Sequence, residues 1–530
     1  VRTSARELLE QLLDTDSFVS WDRPPVTVAA SPQYRDALRK AAVAAGTDES
    51  VLTGEGLLRG RRVAVIACEF GFLAGSVGVA AAERIVSAVE RATELGLPLV
   101  ASPTSGGTRM QEGTVAFVQM VKIAGAVAAH KSAGHPYVVY LRNPTMGGVF
   151  ASWGSLGHIT FAEPGALIGF LGPRVYQALY GKPFPEGVQT AENLYRRGVI
   201  DGVLTISVFR RIAHRALSVF SGVELPETAA TQRNSDQIAT PPESSVTDRV
   251  PDANVSGAER HQLDEPRIAA EGNRVWQSVL ISRRPQRPGI RDLLRHVTQR
   301  VPLSGTGQGE SDRTAVLALG RFRGQPCVVF GHDRRGQQGE NTMGPAALRE
   351  ARRSMALAQE LRLPLVLVID TVGAALSKEA EERGLAPEIA RCIADLVTLD
   401  TPTVSVLLGQ GTGGGALALL PADRVLAATH AWLAPLPPEG ASAIVFRDTD
   451  HAAELAAAQR ISAADLLDDG VVDRIVPELP DAADEPVDFA RRMVAAIAHE
   501  LAALRARPDA ELLAARQARY RRLGLPGPTS

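Results

Sequence analysis

Four glycine-rich turns hold the residues of this chain whose types and spacing point to chemistry. Ser105-Gly106-Gly107 and Thr145-Met146-Gly147-Gly148 lie in the first half; Thr371-Val372-Gly373-Ala374 and GQGTGGGALA, Gly409 to Ala418, lie in the second. Glycine leaves a backbone N–H with no side chain in front of it. Two such turns side by side can aim two N–H donors at one oxygen, which is an oxyanion hole. A Gly-Gly pair before a helix is also a common device for close helix–strand packing. Phosphate binding is a third reading, but neither GxGxxG at a first βα turn nor GxxxxGK[ST] is present. Four turns in register across two halves weaken the packing reading, and they share no His or carboxylate.

Other reactive side chains have plainer readings. Arg109 and Glu112, just after Gly107, suit a structural ion pair or a helix-end charge better than a ligand contact. Glu163 falls in AEPGA, a turn signal, which argues against an acid–base pair with Glu112. His130, His135 and His158 have no counterparts in the second half. Arg283, Arg284 and Arg287 form a basic cluster suited either to phosphates or to solvent.

These turns must sit at the ends of neighbouring strands. In the first half RRVAVIACEF reads as a strand, VAAAERIVSAVERATEL as a helix and LPLVAS as a strand. TVAFVQMVKIAGAVAAHKS then reads as a helix and PYVVYLR as a strand. Continuous apolar strands between amphipathic helices predict a parallel sheet buried on both faces, with ligands outside the strand C-termini. Gly106-Gly107 is expected at the mouth of a helix carrying Val115, Val118 and Val121. Gly78 and Gly344, Glu94 and Glu360, Pro136 and Pro402, and Gly147 and Gly413 all stand 266 residues apart. That constant offset predicts one fold used twice. The C-terminal DFARRMVAAIAHELAALRARPDAELLAARQARYRRLG is expected to be helical, packed across an interface or solvated.

The 530-residue chain has 57 basic and 59 acidic side chains, a formal charge of −2, so nothing draws it generally to nucleic acid or anionic membrane. Runs such as Leu363 to Ile369 are too short to span a bilayer, and VRTSARELLEQLLDTDSF lacks a signal-peptide h-region. Cys68, Cys327 and Cys392 have no zinc-motif spacing and read as buried thiols of a reducing, cytoplasmic setting. Residues 222–265, rich in Pro, Ser, Thr and acidic groups, are expected to be a flexible linker between domains at 1–221 and 266–530.

The full wording of the motifs carries a resemblance. FGFLAGSVGVAAAERIVSAVE, SGGTRMQEG, PTMGGVFASWGSLGHITFAEPGALIGFLGPR and VQTAENLYRRGVIDGVL resemble the beta subunit of the acetyl-CoA carboxylase carboxyltransferase. RRPQRPG, GHDRRG, ELRLPLVLVIDTVGA, TPTVSVLLGQGTGGGALAL, PLPPEGASAIVF and LLDDGVVDRIVPE resemble its alpha subunit. The resemblance, to the fused beta–alpha chains, implies two tandem crotonase-like α/β domains related by duplication. It implies carboxyl transfer from carboxybiotin, on a separate carrier protein, to acetyl-CoA or a short acyl-CoA, giving malonyl-CoA for fatty acid synthesis. It also implies a separate biotin carboxylase and at least a homodimer. By motif, Gly106, Gly107, Gly147 and Gly148 would hold the thioester oxygen; Gly373, Gly413 and Gly414 would hold the ureido oxygen of biotin. Gly411, Thr412, Gly415, Pro438, Glu439 and Gly440 would complete the biotin side. The beta subunit's four-cysteine zinc ribbon has no counterpart, so no metal is expected. IDTVGAALS stands where the alpha subunit reads IDTPGAYPG, and GQGTGGG where it reads GEGGSGG. Two alternatives follow: a biotin-independent malonyl-thioester decarboxylase, or a weakly catalytic scaffold subunit.

Overall fold

The computed structural model describes residues 2–220 and 265–525, so the linker expectation falls, except at Glu265, outside the described residues. In the first half the hairpin β1 (Val51–Leu58) and β2 (Arg61–Cys68) leads into α1 (Val79–Glu94) and β3 (Leu99–Ser102). Helix α2 (Thr114–Ser132) and β4 (Tyr137–Leu141) follow, then β5 (Thr145–Met146), the single turn α3 (Gly147–Phe150) and β6 (Ile168–Gly169). The second half repeats the series as β7 (Ala315–Phe322), β8 (Gln325–His332), α4 (Pro345–Leu361), β9 (Leu365–Thr371) and the short α5 (Lys378–Glu382). It continues through α6 (Leu385–Thr398), β10 (Thr403–Thr412), α7 (Gly413–Leu417), β11 (Trp432–Ala434) and α8 (Pro438–Val445).

Each half is built on one sheet. The first runs Val19–Ser20, β1, β2, β3, β4, Ile159–Ala162 and Gly202–Val203 from edge to edge. The second runs Thr298–Leu303, β7, β8, β9, β10, Arg424–Ala428 and Arg474–Val476, with β11 pairing the end of β10. From β2 and from β8 onward neighbouring strands are parallel, and Val, Leu, Ile and Ala fill both faces. Leu99 pairs Tyr137, and Leu365 pairs Thr403, the same register 266 residues on. Each sheet differs from the wholly parallel expectation at one edge, where an antiparallel hairpin enters. Arg59-Gly60 and Arg323-Gly324 turn those hairpins with both residues left-handed, the geometry of a type I′ turn. The architecture is one α/β arrangement used twice, each half built on its own largely parallel sheet.

The halves pack through helices. Helix α2 lies along α6, so closely that a Cβ on Gly125 would stand 3.0 Å from Val397 Cγ1. The C-terminal helix α9 (Asp509–Arg522) crosses between them. Arg516 is buried against Asp423 and donates to the Leu396, Leu399 and Thr401 carbonyls of the second half. Arg521 pairs with Glu83 and Glu90 of the first. Of the two expectations for this helix, packing across an interface is the one observed. The three cysteines are buried free thiols. No described helix is long and apolar enough to cross a membrane. Among the described residues no group of three or more His, Cys, Asp or Glu is arranged to hold a metal.

Candidate active site

The first glycine turn does not open a helix directly: a 3-10 turn at Met110–Glu112 intervenes, and α2 begins only at Thr114. The turn is instead held open by its own backbone. Gly106 N–H donates to Ala74 O at 2.9 Å, and Gly107 N–H to Ser105 Oγ at 3.0 Å. Val77 then bridges the chain, donating to Gly107 O at 3.1 Å and accepting from Arg109 N at 3.0 Å. Between these bonds the N–H of Thr108 has no acceptor among the described residues.

The second half repeats this pattern with different side chains. Val372 N–H donates to Gln337 Oε1 at 3.3 Å and Gly373 N–H to Thr371 Oγ1 at 3.1 Å. Ala375 N–H reaches Met343 O at 2.8 Å, and Ala374 N–H has no acceptor among the described residues. A hydroxyl that accepts from the residue two places on is a compact way to fix such a turn. Gly107 (φ +123°) and Gly373 (φ +133°) both occupy a backbone region that a side chain disfavours.

The partner turns lie alongside. β5 and the end of β10 run into Gly147 (φ +64°) and Gly413 (φ +61°), which bend the chain into α3 and α7. A Cβ on Gly147 would stand 3.5 Å from Gly107 Cα, and one on Gly148 would stand 3.2 Å from Thr108 Oγ1. A Cβ on Gly415 would likewise stand 3.3 Å from Ala374 N. Gly148 and Gly414 fall in the first turn of their helices, where an N–H has no intrahelical acceptor, and among the described residues neither is paired elsewhere. Each half therefore has unpaired N–H donors on two neighbouring turns, Thr108 and Gly148 in the first and Ala374 and Gly414 in the second. Gly106 and Gly107, whose own N–H groups are taken, shape the turn that presents Thr108.

The remaining sequence candidates gather on the second side. Thr412 Oγ1 is buried without a protein partner, and its Cγ2 would lie 3.7 Å from a Cβ on Gly373. Gly411 leaves no room for a Cβ beneath the Trp432 carbonyl. Glu439 accepts both ends of the Arg283 guanidinium at 2.6 and 3.1 Å, and Arg283 Nε reaches Gln410 Oε1 at 3.3 Å. Burial would raise the Glu439 carboxyl, but the Arg283 pair brings it below the usual range. Pro438 opens α8, and Gly440 packs against Leu179 of the first half.

Several charged residues are structural. Buried Arg109 pairs with Glu49 at 2.5 Å. Glu112 caps α1 by accepting Val79 N–H at 2.6 Å and also takes the Tyr34 hydroxyl at 2.5 Å. Glu163 stands at a turn and joins no pair with Glu112. The Arg283–Arg287 cluster is neutralised: Arg284 pairs with Asp481 and Asp484, and buried Arg287 with Glu478 and Asp481. Thr108 was not singled out in the sequence, while Ala374 was named only as part of its turn and Arg283 only as part of a basic cluster. Thr108 and Ala374 present a backbone N–H, and their differing side chains break no visible motif.

A duplicated α/β scaffold with unpaired N–H donors at the strand ends of each half has the geometry to receive a carbonyl oxygen in each half. The carboxyl transferase domain matches residues 2–511, and the chain belongs to that family of transferases. It is 61% identical over 526 residues, 99% of both chains, to the probable biotin-dependent acyl-coenzyme A carboxylase beta3 subunit of Mycobacterium tuberculosis. It is 37% identical, over 99% of this chain and 91% of the relative, to the acetyl-coenzyme A carboxylase carboxyl transferase subunits beta/alpha of Salinispora arenicola. Among solved structures, transcarboxylase 12S is 20% identical over 95% of this chain and 90% of its own, with a TM-score of 0.36.

Proposed function

We propose that the chain is the carboxyltransferase component of a biotin-dependent acyl-CoA carboxylase, acting on acetyl-CoA or a short homologue. The observation that carries this reading is the doubled set of unpaired donors, one in each half of a carboxyl transferase chain. Thr108 and Gly148 are suited to the thioester oxygen, on which negative charge grows as the α-carbon loses its proton. Donors aimed where charge develops act most strongly in a site shielded from water. Ala374 and Gly414, with the free Thr412 hydroxyl beside them, fit the ureido oxygen of biotin. Carboxybiotin, when bound on its carrier, supplies both the CO2 and the base. The acyl α-carbon thus exchanges a C–H bond for a C–C bond to CO2, and no protein carboxylate or imidazole is needed. Arg283 and Glu439, locked together beside Gln410, would frame the biotin side.

Identity is higher to the relative named for acyl-CoA than to the one named for acetyl-CoA. Propionyl-CoA therefore belongs in any assay beside acetyl-CoA. A biotin carboxylase and a biotin carrier would be separate partners. Val372 at the second turn, Ile444 and Val445 on α8 and Phe446 just after it leave apolar surface exposed, which suits a homodimer. The test incubates the chain with malonyl-CoA, with and without biotinylated carrier, and follows acetyl-CoA release. Carrier-dependent turnover is expected. Equal turnover without carrier would favour the decarboxylase reading, and no turnover by folded protein the scaffold reading. In Gly148→Pro, which deletes one donor in the first helical turn and also crowds Thr108 Oγ1, turnover should fall about 10²–10³-fold or more.

A further inference from the structure

Strand β6 is the outer partner of the segment that delivers Gly147 and Gly148. Thr145 pairs Ile168 and Met146 pairs Gly169, in a two-stranded ribbon apart from the main sheet. So short a ribbon needs support from outside, and that support comes from the other half of the molecule. Phe170 N–H, directly after β6, donates to Glu381 Oε1 at 2.8 Å. Gln189 Nε2 donates to the same oxygen at 2.7 Å and to Leu171 O at 2.7 Å. The Gln189 side chain crosses Gly169 so closely that no Cβ fits there. Glu381 stands on α5, which begins five residues after Gly373.

The carboxylate is buried, 5% exposed, and only neutral groups donate to it. Charges on the surrounding elements are engaged elsewhere. Glu382 pairs with Arg197, Arg383 with Glu310 and Glu379, and Glu388 of α6 with Arg349, Arg352 and Arg391. Lys378 begins the same helix, and Glu192, near Gln189, accepts from Gly165 N–H. A buried carboxylate without a cation is costly to keep. Burial pushes this one up to about 7, against the opposing bonds from Gln189, Phe170 and Leu171.

A reciprocal contact runs the other way. β11 stands where β6 stands in the first half, and it is braced by Thr114 at the start of α2. Thr114 Oγ1 donates to Leu433 O at 3.1 Å, and Thr114 N–H to Gln459 O at 3.0 Å. Each half thus holds the ribbon beside the other's carbonyl turn, one with a neutral hydroxyl and the other with a carboxylate.

We infer that Glu381, from the second half, is a positioning residue for the carbonyl site of the first half, acting through Phe170, Gln189 and β6 on Gly148. This rests on the proposed role of Thr108 and Gly148 at the thioester oxygen. The charged Oε1 is the stronger acceptor, so turnover should rise as pH passes through about 7.

The test compares Glu381→Leu, which removes the acceptor, with Glu381→Gln, which keeps a neutral one. The full chain is assayed with malonyl-CoA and biotinylated carrier from pH 6 to 9, with kcat and both KM values determined per folded molecule. In Glu381→Leu, kcat should fall about tenfold or more with the carrier KM unchanged. Glu381→Gln should recover most of that loss and lack the inflection near pH 7. Native kcat in Glu381→Leu, or a Gln variant as impaired as Leu, overturns the inference. If Glu381→Leu does not fold, an unchanged inflection in Glu381→Gln overturns it instead. Gly148→Pro separates the two levels. An active Gly148→Pro defeats the thioester reading itself; an inactive one beside a fully active Glu381→Leu defeats only the positioning role.

Discussion

Replacing Glu381 by Gln should stabilise the protein above neutral pH and leave it unchanged in acid. In the fold the carboxyl titrates near 7; in the unfolded chain it titrates near the ordinary 4.5. Because the folded value is raised, the stability linked to this group is fully present below about pH 4.5. It is lost as pH rises to about 7. The gap corresponds to about 3 kcal/mol at one pKa unit per ~1.4 kcal/mol, an upper bound because solvent fluctuations soften buried charges. Gln retains an oxygen for Phe170 N–H and Gln189 Nε2 and introduces no charge. For a chain this long that difference is about 2–3 °C in the unfolding midpoint, or more if one half melts by itself. Differential scanning calorimetry of both proteins at pH 5, 6, 7 and 8 reads it directly. The midpoint difference should be about a quarter of its full value at pH 5 and reach nearly all of it by pH 8. A pH-independent difference, or a variant less stable at pH 8, would show that Glu381 is not held against its own charge and refute the argument.

Three further outcomes follow from buried groups and tight backbone. Burial lowers His332 to about 3, so stability should decline as pH falls from about 6.5 toward 3; His332→Gln should flatten that part of an acid-unfolding curve. Gly113, at φ +68°, faces Gln459 O at 2.6 Å from where a Cβ would stand, so Gly113→Ala should strain the contact between the halves. A loss of about 2–3 kcal/mol is expected, seen as a lower midpoint and faster proteolysis of native protein. Burial pushes Cys68 up to about 11 and Cys327 up to about 12. Neither should react with iodoacetamide at pH 8 until the protein is denatured, and rapid native labelling would contradict their burial.

Much of the fold was readable because hydrophobic periodicity reports it. The helix from Thr114 to Ser132 has the bounds its wording suggests, and the strands at Leu99 and Tyr137 begin within two residues of theirs. The entering hairpins were not read, since Arg59-Gly60 and Arg323-Gly324 look like ordinary surface residues until both adopt left-handed angles. The unpaired N–H groups were readable only to within a residue. Glycine marks where the backbone bends, whereas the free donor is decided by which neighbouring N–H groups find acceptors. Ala74 O takes Gly106 and Ser105 Oγ takes Gly107, and both are long-range or conformational facts. Glu381 was likewise hidden: its partners Phe170 and Gln189 lie some two hundred residues away in sequence.

The two halves agree in the backbone bonding of these turns and diverge in the side chains around them. The order of bonds around the turn is the same in both: hydroxyl to Gly107 or Gly373, a free N–H next, then a bridge to Val77 or Met343. Yet Thr108 corresponds to Ala374, Met146 to Thr412, and Gly106 to Val372. A donor supplied by backbone survives almost any change of side chain that keeps the turn. The duplicated copies could therefore drift to different ligands without losing the hole. That freedom accounts for glycine being so prominent among the shared landmarks. It also explains why Val372 in place of the first glycine leaves the second turn intact: at that position the N–H is not the free donor, and Gln337 receives it.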